Sequence, residues 1–454
     1  MAMGRREGER QDDLWIATRR LVEGPAHPFY SRLNEVLRDA GFDRFVEEKC
    51  ERFYAGRLGR PGIAPGVYFR MIFVGYFEGI DSERGIAWRC ADSLGLRAFL
   101  GYELTRATPD HSSLSVIRNR IDQETHQEVF DFVLRVLMEQ GLVKGKKVGI
   151  DATTLEANAA LRSIVRRDTG ESYQDFLGRL AKESGIDTPT REDLARLDRE
   201  RKNKGSNDDW QHPHDPDARI AKMKDGRTHL AHKAEHGVDL DTGATLAVTL
   251  QHADRGDTQT LDTTLSEIME TLDEVSEASE EPLEVRELVA DKGYHSNAVV
   301  ADLEEMGIRT YISEPDRGRR RWRERERERD AVYANRRRIR GERGKRLLRR
   351  RGELVERPFA HHYETGGMRR THLRTHEKIH KRLLVHSAAQ NLGLLMRTMF
   401  GIGKPRVLQD RKAGAAALAA AVMATLARLL TLLNRGVHRA WPGGDRCAAL
   451  ALAA

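Results

Sequence analysis

Cysteine is scarce: Cys50, Cys90 and Cys447 are the only three in 454 residues. Their spacing builds neither a disulfide framework nor a zinc ribbon, so a reducing compartment is the simple reading. The opening MAMGRREGERQDD has no apolar stretch of the signal-peptide kind, and a cytoplasmic location is expected. Long hydrophobic runs are nearly missing as well. The one candidate, Ala413 to Leu433, is alanine-rich and broken by Arg428, which reads as a soluble helix or tail rather than a membrane span. No internal repeat is visible, and no His-Glu-x-x-His metal motif.

Charge is abundant. Charged residues make up 32% against 39% hydrophobic, polar for a globular chain but enough to bury a core. The net charge is +7 and the pI about 9.3, which puts polyanions first among possible partners. The excess is concentrated between Arg317 and Arg351. That run reads as a phosphate-contacting surface, giving affinity and salt dependence without sequence readout. The plainer reading is a solvated helix or disordered arm.

The length suggests two or three domains. Up to about residue 144 the pattern is helical. Pro65 opens an apolar run, and Thr108-Pro109-Asp110 reads as a helix start with Thr108 as cap. A helix over about 124–140 follows, stopping at Gly141. Basic helices of this kind serve equally well as a DNA-binding bundle or as plain packing. From Lys146 the pattern becomes mixed. A β-prone run ends in Asp151, and a highly charged insertion occupies about 156–228. Strands then return at 229–238 and 245–251, joined by Asp239-Leu-Asp-Thr-Gly243 as a hairpin turn. A helix over 258–275, a strand ending at Asp291, a helix over 297–306 and a strand over 309–313 complete the string. The order predicts an α/β fold, a sheet covered by helices.

Two aspartates therefore end β-prone runs: Asp151 in VGIDATT and Asp291 in LVADKGYHS. A third acid, Glu356, lies on a predicted helix in RRRGELVERPFAHHYE, with Glu353 and Glu364 as neighbouring alternatives. Phosphodiester cleavage needs charge neutralisation on phosphoryl oxygens and activation of a water or 3′-hydroxyl. A pair of hard cations held by carboxylates does both. Histidines 372, 376 and 380 recur at four and could share a helical face, read as solvated or DNA-facing rather than as a zinc site.

At these residues the sequence resembles a known family. VGIDATT, VDLDTG, LVADKGYH, RTYISEP, RRRGELVERPFAH and KRLLVHSAAQNLGLLMR look like the ordered landmarks of bacterial insertion-sequence transposases of the DDE type. Upstream, PGVYFRMIFVGYFEGIDSERGIAWRCADSLGLRAFLG and TPDHSSLSVIRNRI look like the helical N-terminal domain of the same transposases. The resemblance spans about residues 20 to 410. It implies a helical domain over 1–144, a ribonuclease H-like catalytic domain over 145–400 and an alanine-rich tail over 401–454. It further implies that Asp151, Asp291 and Glu356 are catalytic and bind Mg²⁺, with Mn²⁺ as a substitute. Tyr294, in the family's Asp-Lys-Gly-Tyr signature, is expected at DNA or substrate phosphate. The implied partners are double-stranded DNA (terminal inverted repeats and target) and a second copy of the chain, and the implied location is the bacterial nucleoid. The familiar Tyr-Arg-Glu-Lys pattern is not kept around Glu356: Gly352 stands four before it and Tyr363 seven after. A decayed, DNA-binding transposase and a nuclease on the same fold are the alternative readings.

Overall fold

The computed structural model describes residues 27–55, 62–201, 205–223, 225–277, 282–316, 318 and 321–406. The alanine-rich stretch and Cys447 lie outside them. No helix among the described residues is long and apolar enough to cross a membrane.

Seven helices come first: α1 (Pro28–Asp39), α2 (Phe42–Cys50), α3 (Pro65–Glu78), α4 (Glu83–Asp92), α5 (Leu94–Phe99), α6 (His111–Arg120) and α7 (Gln123–Glu139). Proline opens α3, where its missing N–H costs nothing, and Gly79 closes it. Twelve of the helix's fourteen residues are buried, so it runs through the centre of the bundle. The cap of α6 is Asp110, which accepts from the Ser113 N–H at 2.8 Å; Thr108, expected to cap, stands outside the helix.

The mixed part follows: β1 (Lys147–Glu156), β2 (Val165–Arg166), α8 (Tyr173–Glu183), α9 (Arg191–Glu200), β3 (Trp210–Gln211), β4 (Arg219–Lys222), β5 (Thr228–Asp239), β6 (Thr245–His252), α10 (Asp257–Ser276), β7 (Glu287–Ala290), α11 (Asn297–Glu305), β8 (Arg309–Ile312), α12 (Glu326–Arg340), α13 (Glu342–Phe359) and α14 (His376–Phe400). The main sheet runs β6-β5-β1-β7-β8, with β4 on the same edge of β5 as β6. Its first three strands are antiparallel, and β1, β7 and β8 are parallel. The α/β expectation holds. Asp151 does not end its strand, however. Pairing with β5 carries β1 on to Glu156, so the aspartate sits midway along a central strand.

Strand alternation sorts the two faces. Gly149, Val238 and Val289 face α13, whose Val355 packs among them. Glu235 and Gly237 face α10, where Thr264 and Ile268 meet them. Helix α14 packs against α7, α3 and β6. One continuous core consequently joins the N-terminal helices to the sheet. A buried asparagine bonds one residue of each of the edge strands β6 and β8. Asn391 of α14 accepts from the Thr245 N–H at 2.9 Å and donates to the Thr245 carbonyl at 2.8 Å. Asn335 of α12 does the same for Ile312, at 3.1 and 2.8 Å.

The insertion between β1 and β5 has a small core of its own, with Trp210 against Ile164 and Leu230. The arginine-rich run is a helical pair, α12 and α13, broken at Gly341. Many of its arginines are engaged internally: Arg327 with Asp302 and Glu305, Arg336 with Glu314, Arg338 with Glu304, Arg343 with Glu287. The disordered-arm reading fails for these residues. Arg337, Arg340, Arg346 and Arg349 remain exposed.

Candidate active site

The site grows from the parallel pairing of β1 with β7. Val148 lies level with Leu288 and Gly149 with Val289. The same register, continued two residues, brings Asp151 level with Asp291. Asp151 projects on the α13 face. Gly149 lets that helix approach, because a Cβ there would stand 2.7 Å from Leu240 and 3.0 Å from Val355.

From α13, Arg351 reaches down to Asp151. Its Nη1 donates to Oδ2 at 2.8 Å, with the two side chains 16% and 24% exposed. The Nε of the same guanidinium is buried without a hydrogen-bond partner. The other Asp151 oxygen accepts from the Ala152 N–H at 2.8 Å. Burial pushes the Asp151 carboxyl above its ordinary range. Arg351 and the Ala152 N–H oppose that, and the nearby Asp291 charge adds to it. Asp291 caps a single helical turn, Lys292–Tyr294, by accepting from the Gly293 N–H at 2.7 Å.

Glu356 occupies an exposed position on α13, its carboxylate without an ion pair or hydrogen bond among the described residues. Glu353 is exposed on the turn before it, and the side chain of Glu364 lies outside the described residues. The structure thus brings two of the three expected acids together. Among the described residues, no three His, Cys, Asp or Glu side chains converge closely enough to hold a metal ion.

Tyr294, expected at DNA or substrate phosphate, is placed otherwise, and its neighbours Lys233, Glu235, Thr260 and Thr264 were not singled out by the sequence reading. Tyr294 is wholly buried and donates to Glu235 at 3.1 Å, so it faces the core rather than DNA. Glu235 is itself fully buried. It also accepts from Thr260, and from Thr264 at 2.6 Å, and it pairs with Lys233 at 3.0 Å. Two charged residues alternating with Ala234 and His236 inside a central strand were the one available signal. The histidines are structural as well. His236, level with Asp151 across β1 and β5, hydrogen-bonds Tyr363 at 2.6 Å; burial pushes its pKa down to about 3, which keeps it neutral. His376 and His380 begin α14, while His372 precedes it and bonds Asp81 at 2.9 Å. His380 is bonded to the Val248 carbonyl at 2.7 Å, and the His376 ring stacks near His232 and His252. The expected solvated face of three histidines does not exist.

A central mixed sheet flanked by helices, with Asp151 on β1 and Asp291 just after β7, is the arrangement of a ribonuclease H-like core. Residues 206–392 match the family model described as a transposase DDE domain, and residues 18–120 match a transposase domain (DUF772). No curated protein and no solved structure matched the chain. The chain belongs to the insertion-sequence transposases of the DDE type. The DDE match begins at residue 206, inside the insertion, and so leaves Asp151 upstream of it; the β1 pairing with β5 and β7 ties that aspartate to the domain.

Proposed function

We propose that this transposase cleaves one DNA strand at the end of its element and joins the freed 3′-hydroxyl to a target phosphodiester. The observation that supports this reading most is the β1–β7 register, which leads to Asp151, paired with Arg351, and to Asp291 near it. Asp151 and Asp291 suit a hard divalent cation: both are oxygen donors, and Asp151 already takes a cationic partner in Arg351. We assign them, with Glu356 from α13, as the residues that would hold Mg²⁺, Mn²⁺ being the natural substitute. Bound there, the metal supplies Lewis-acid stabilisation of the phosphoryl oxygens and a more acidic water or hydroxyl.

The chain's own residues do the rest. Asp151 and Asp291 fix the position of the reacting phosphate relative to the sheet. Arg351, with its unpartnered Nε, is placed to leave Asp151 and take a phosphate oxygen when substrate arrives. Exposed Arg337, Arg340, Arg346 and Arg349 hold the flanking backbone. The helical region over 1–144 contributes to end recognition, 145–400 is the catalytic domain, and joining two ends requires at least a dimer. The protein works in the bacterial cytoplasm, at the nucleoid.

The test uses the purified chain, Mg²⁺ and labelled duplex carrying the element's end. Joined products are the expected result. Binding without cutting would support the decayed-transposase reading, and cutting of any duplex without joining would support the nuclease reading.

A further inference from the structure

A third acid, Asp257, lies beside Asp291. Asp257 is the first residue of α10. A Cβ built on Gly293 would stand 2.2 Å from Asp257 Oδ2 and 3.0 Å from Asp291 Oδ1. Those two oxygens are therefore no farther apart than the two lengths together, about 5 Å. Gly293 is the residue that leaves room for both.

Asp257 is also held rigidly. Its Oδ1 lies 2.7 Å from Lys233 Nζ. Lys233, only 4% exposed, also donates to Thr260 at 2.9 Å and pairs with Glu235 at 3.0 Å. Its Nζ also donates to the Arg255 carbonyl at 3.4 Å, so four acceptors share its three donors. One lysine thus serves two carboxylates, which leaves one negative charge in the group unbalanced. Glu235 is sealed under hydroxyls from Thr260, Thr264 and Tyr294. Asp257 is a third exposed, and its Oδ2 is directed towards the Asp291 turn. The unbalanced charge is consequently delivered where Asp291 stands.

We infer that Asp257 is a positioning residue for cation capture at Asp291: its fixed charge strengthens the cation's attraction to the site without making it a ligand. Lys233 and Glu235 are the frame that aims it. Long-range attraction of this kind acts on a bound divalent ion even from beyond contact distance. The inference rests on the reading of Asp151 and Asp291 given above.

The experiment titrates Mn²⁺ alone into the DNA-free protein, following free Mn²⁺ by electron paramagnetic resonance. Wild type is compared with Asp257→Asn, Asp257→Ala and Asp291→Asn, with thermal unfolding recorded for each. Asparagine keeps the oxygen that accepts from Lys233 and removes the charge; alanine removes both. The inference predicts that both Asp257 variants weaken Mn²⁺ binding equally, by about three- to tenfold, and that Asp257→Asn melts like wild type. Asp257→Asn binding as wild type while Asp257→Ala is weak would mark a mere strut and overturn the inference. Weakening in Asp291→Asn with none in either Asp257 variant would overturn it too, leaving the site reading intact. No weakening in any variant would overturn the site reading and the inference with it.

Discussion

Asp151 is a carboxylate under tension: burial disfavours its charge, Arg351 favours it, and Asp291 adds repulsion. Such an acid gains from a cation. Gly293 is the matching steric device on the other strand. Gly293→Ala pushes a methyl between the Asp257 and Asp291 oxygens. It should lower the cleavage rate about a hundredfold through misplacement of the acid, with end-binding affinity unchanged; a cleavage rate within twofold of wild type would contradict this packing argument. The sequence singled out Asp151 and Asp291 because each ends an apolar β-prone run. It did not reveal Lys233, Glu235 or Asp257, because their meaning depends on α10 crossing behind the sheet. Tyr294 was misread for the same reason: its signature position says nothing about which way the turn tucks its ring.

Elements in this protein are fixed by side chains that supply missing backbone partners. Asn391 and Asn335 each bond the N–H and carbonyl of one edge-strand residue, Thr245 of β6 and Ile312 of β8. Replacing Asn391 by Ala should cost about 2–3 kcal/mol, since it orphans a buried N–H and a buried carbonyl, and calorimetry should show a drop in Tm of several degrees. An unchanged Tm would mean that the β6 edge finds other partners. The start of α14 is capped from the insertion: Asp215 accepts from the Thr375 N–H and Asp217 from the His376 N–H, both at 3.0 Å. Strand and helix order were legible because hydrophobic periodicity changes at Lys146. These caps were not, because they join residues about 160 apart. The arginine-rich pair α12 and α13 divides its work, with inner arginines on acids and outer ones free for phosphate. Arg346→Ala and Arg349→Ala should each weaken DNA binding equally for all sequences and reduce the slope of log affinity against log salt by about one. A change in sequence preference instead would contradict backbone contact.

At the scale of the whole molecule, the helical region and the sheet share one core, with α7 and α10 in contact. Asp131 of α7 is buried at that junction. Burial, followed by the charges of Glu274 and Glu267, pushes it up to about 8, against help from Gln127 and Arg135. A carboxyl whose pKa is raised by folding binds its proton more tightly in the folded state. Its stabilising contribution is complete below about pH 4 and is lost as pH rises towards 8. Wild-type Tm should therefore carry a downward component across that window, and Asp131→Asn should remove it. Parallel profiles for the two proteins would show that Asp131 ionises freely. Sequence periodicity separated helical from mixed regions but could not show this shared core, which depends on α14 returning to pack against α3 and α7.

The central claim is that Asp151 and Asp291 form the reacting centre of a DNA strand-transfer enzyme. Its most direct test is the joining assay with Asp151→Asn, Asp291→Asn and Glu356→Gln beside wild type, each checked for end binding. The account predicts that all three bind the element's end as wild type does and that none yields joined product. Joining by Asp151→Asn or Asp291→Asn at the wild-type rate would contradict it. Joining by Glu356→Gln alone would retain the aspartate pair and move the third acid elsewhere.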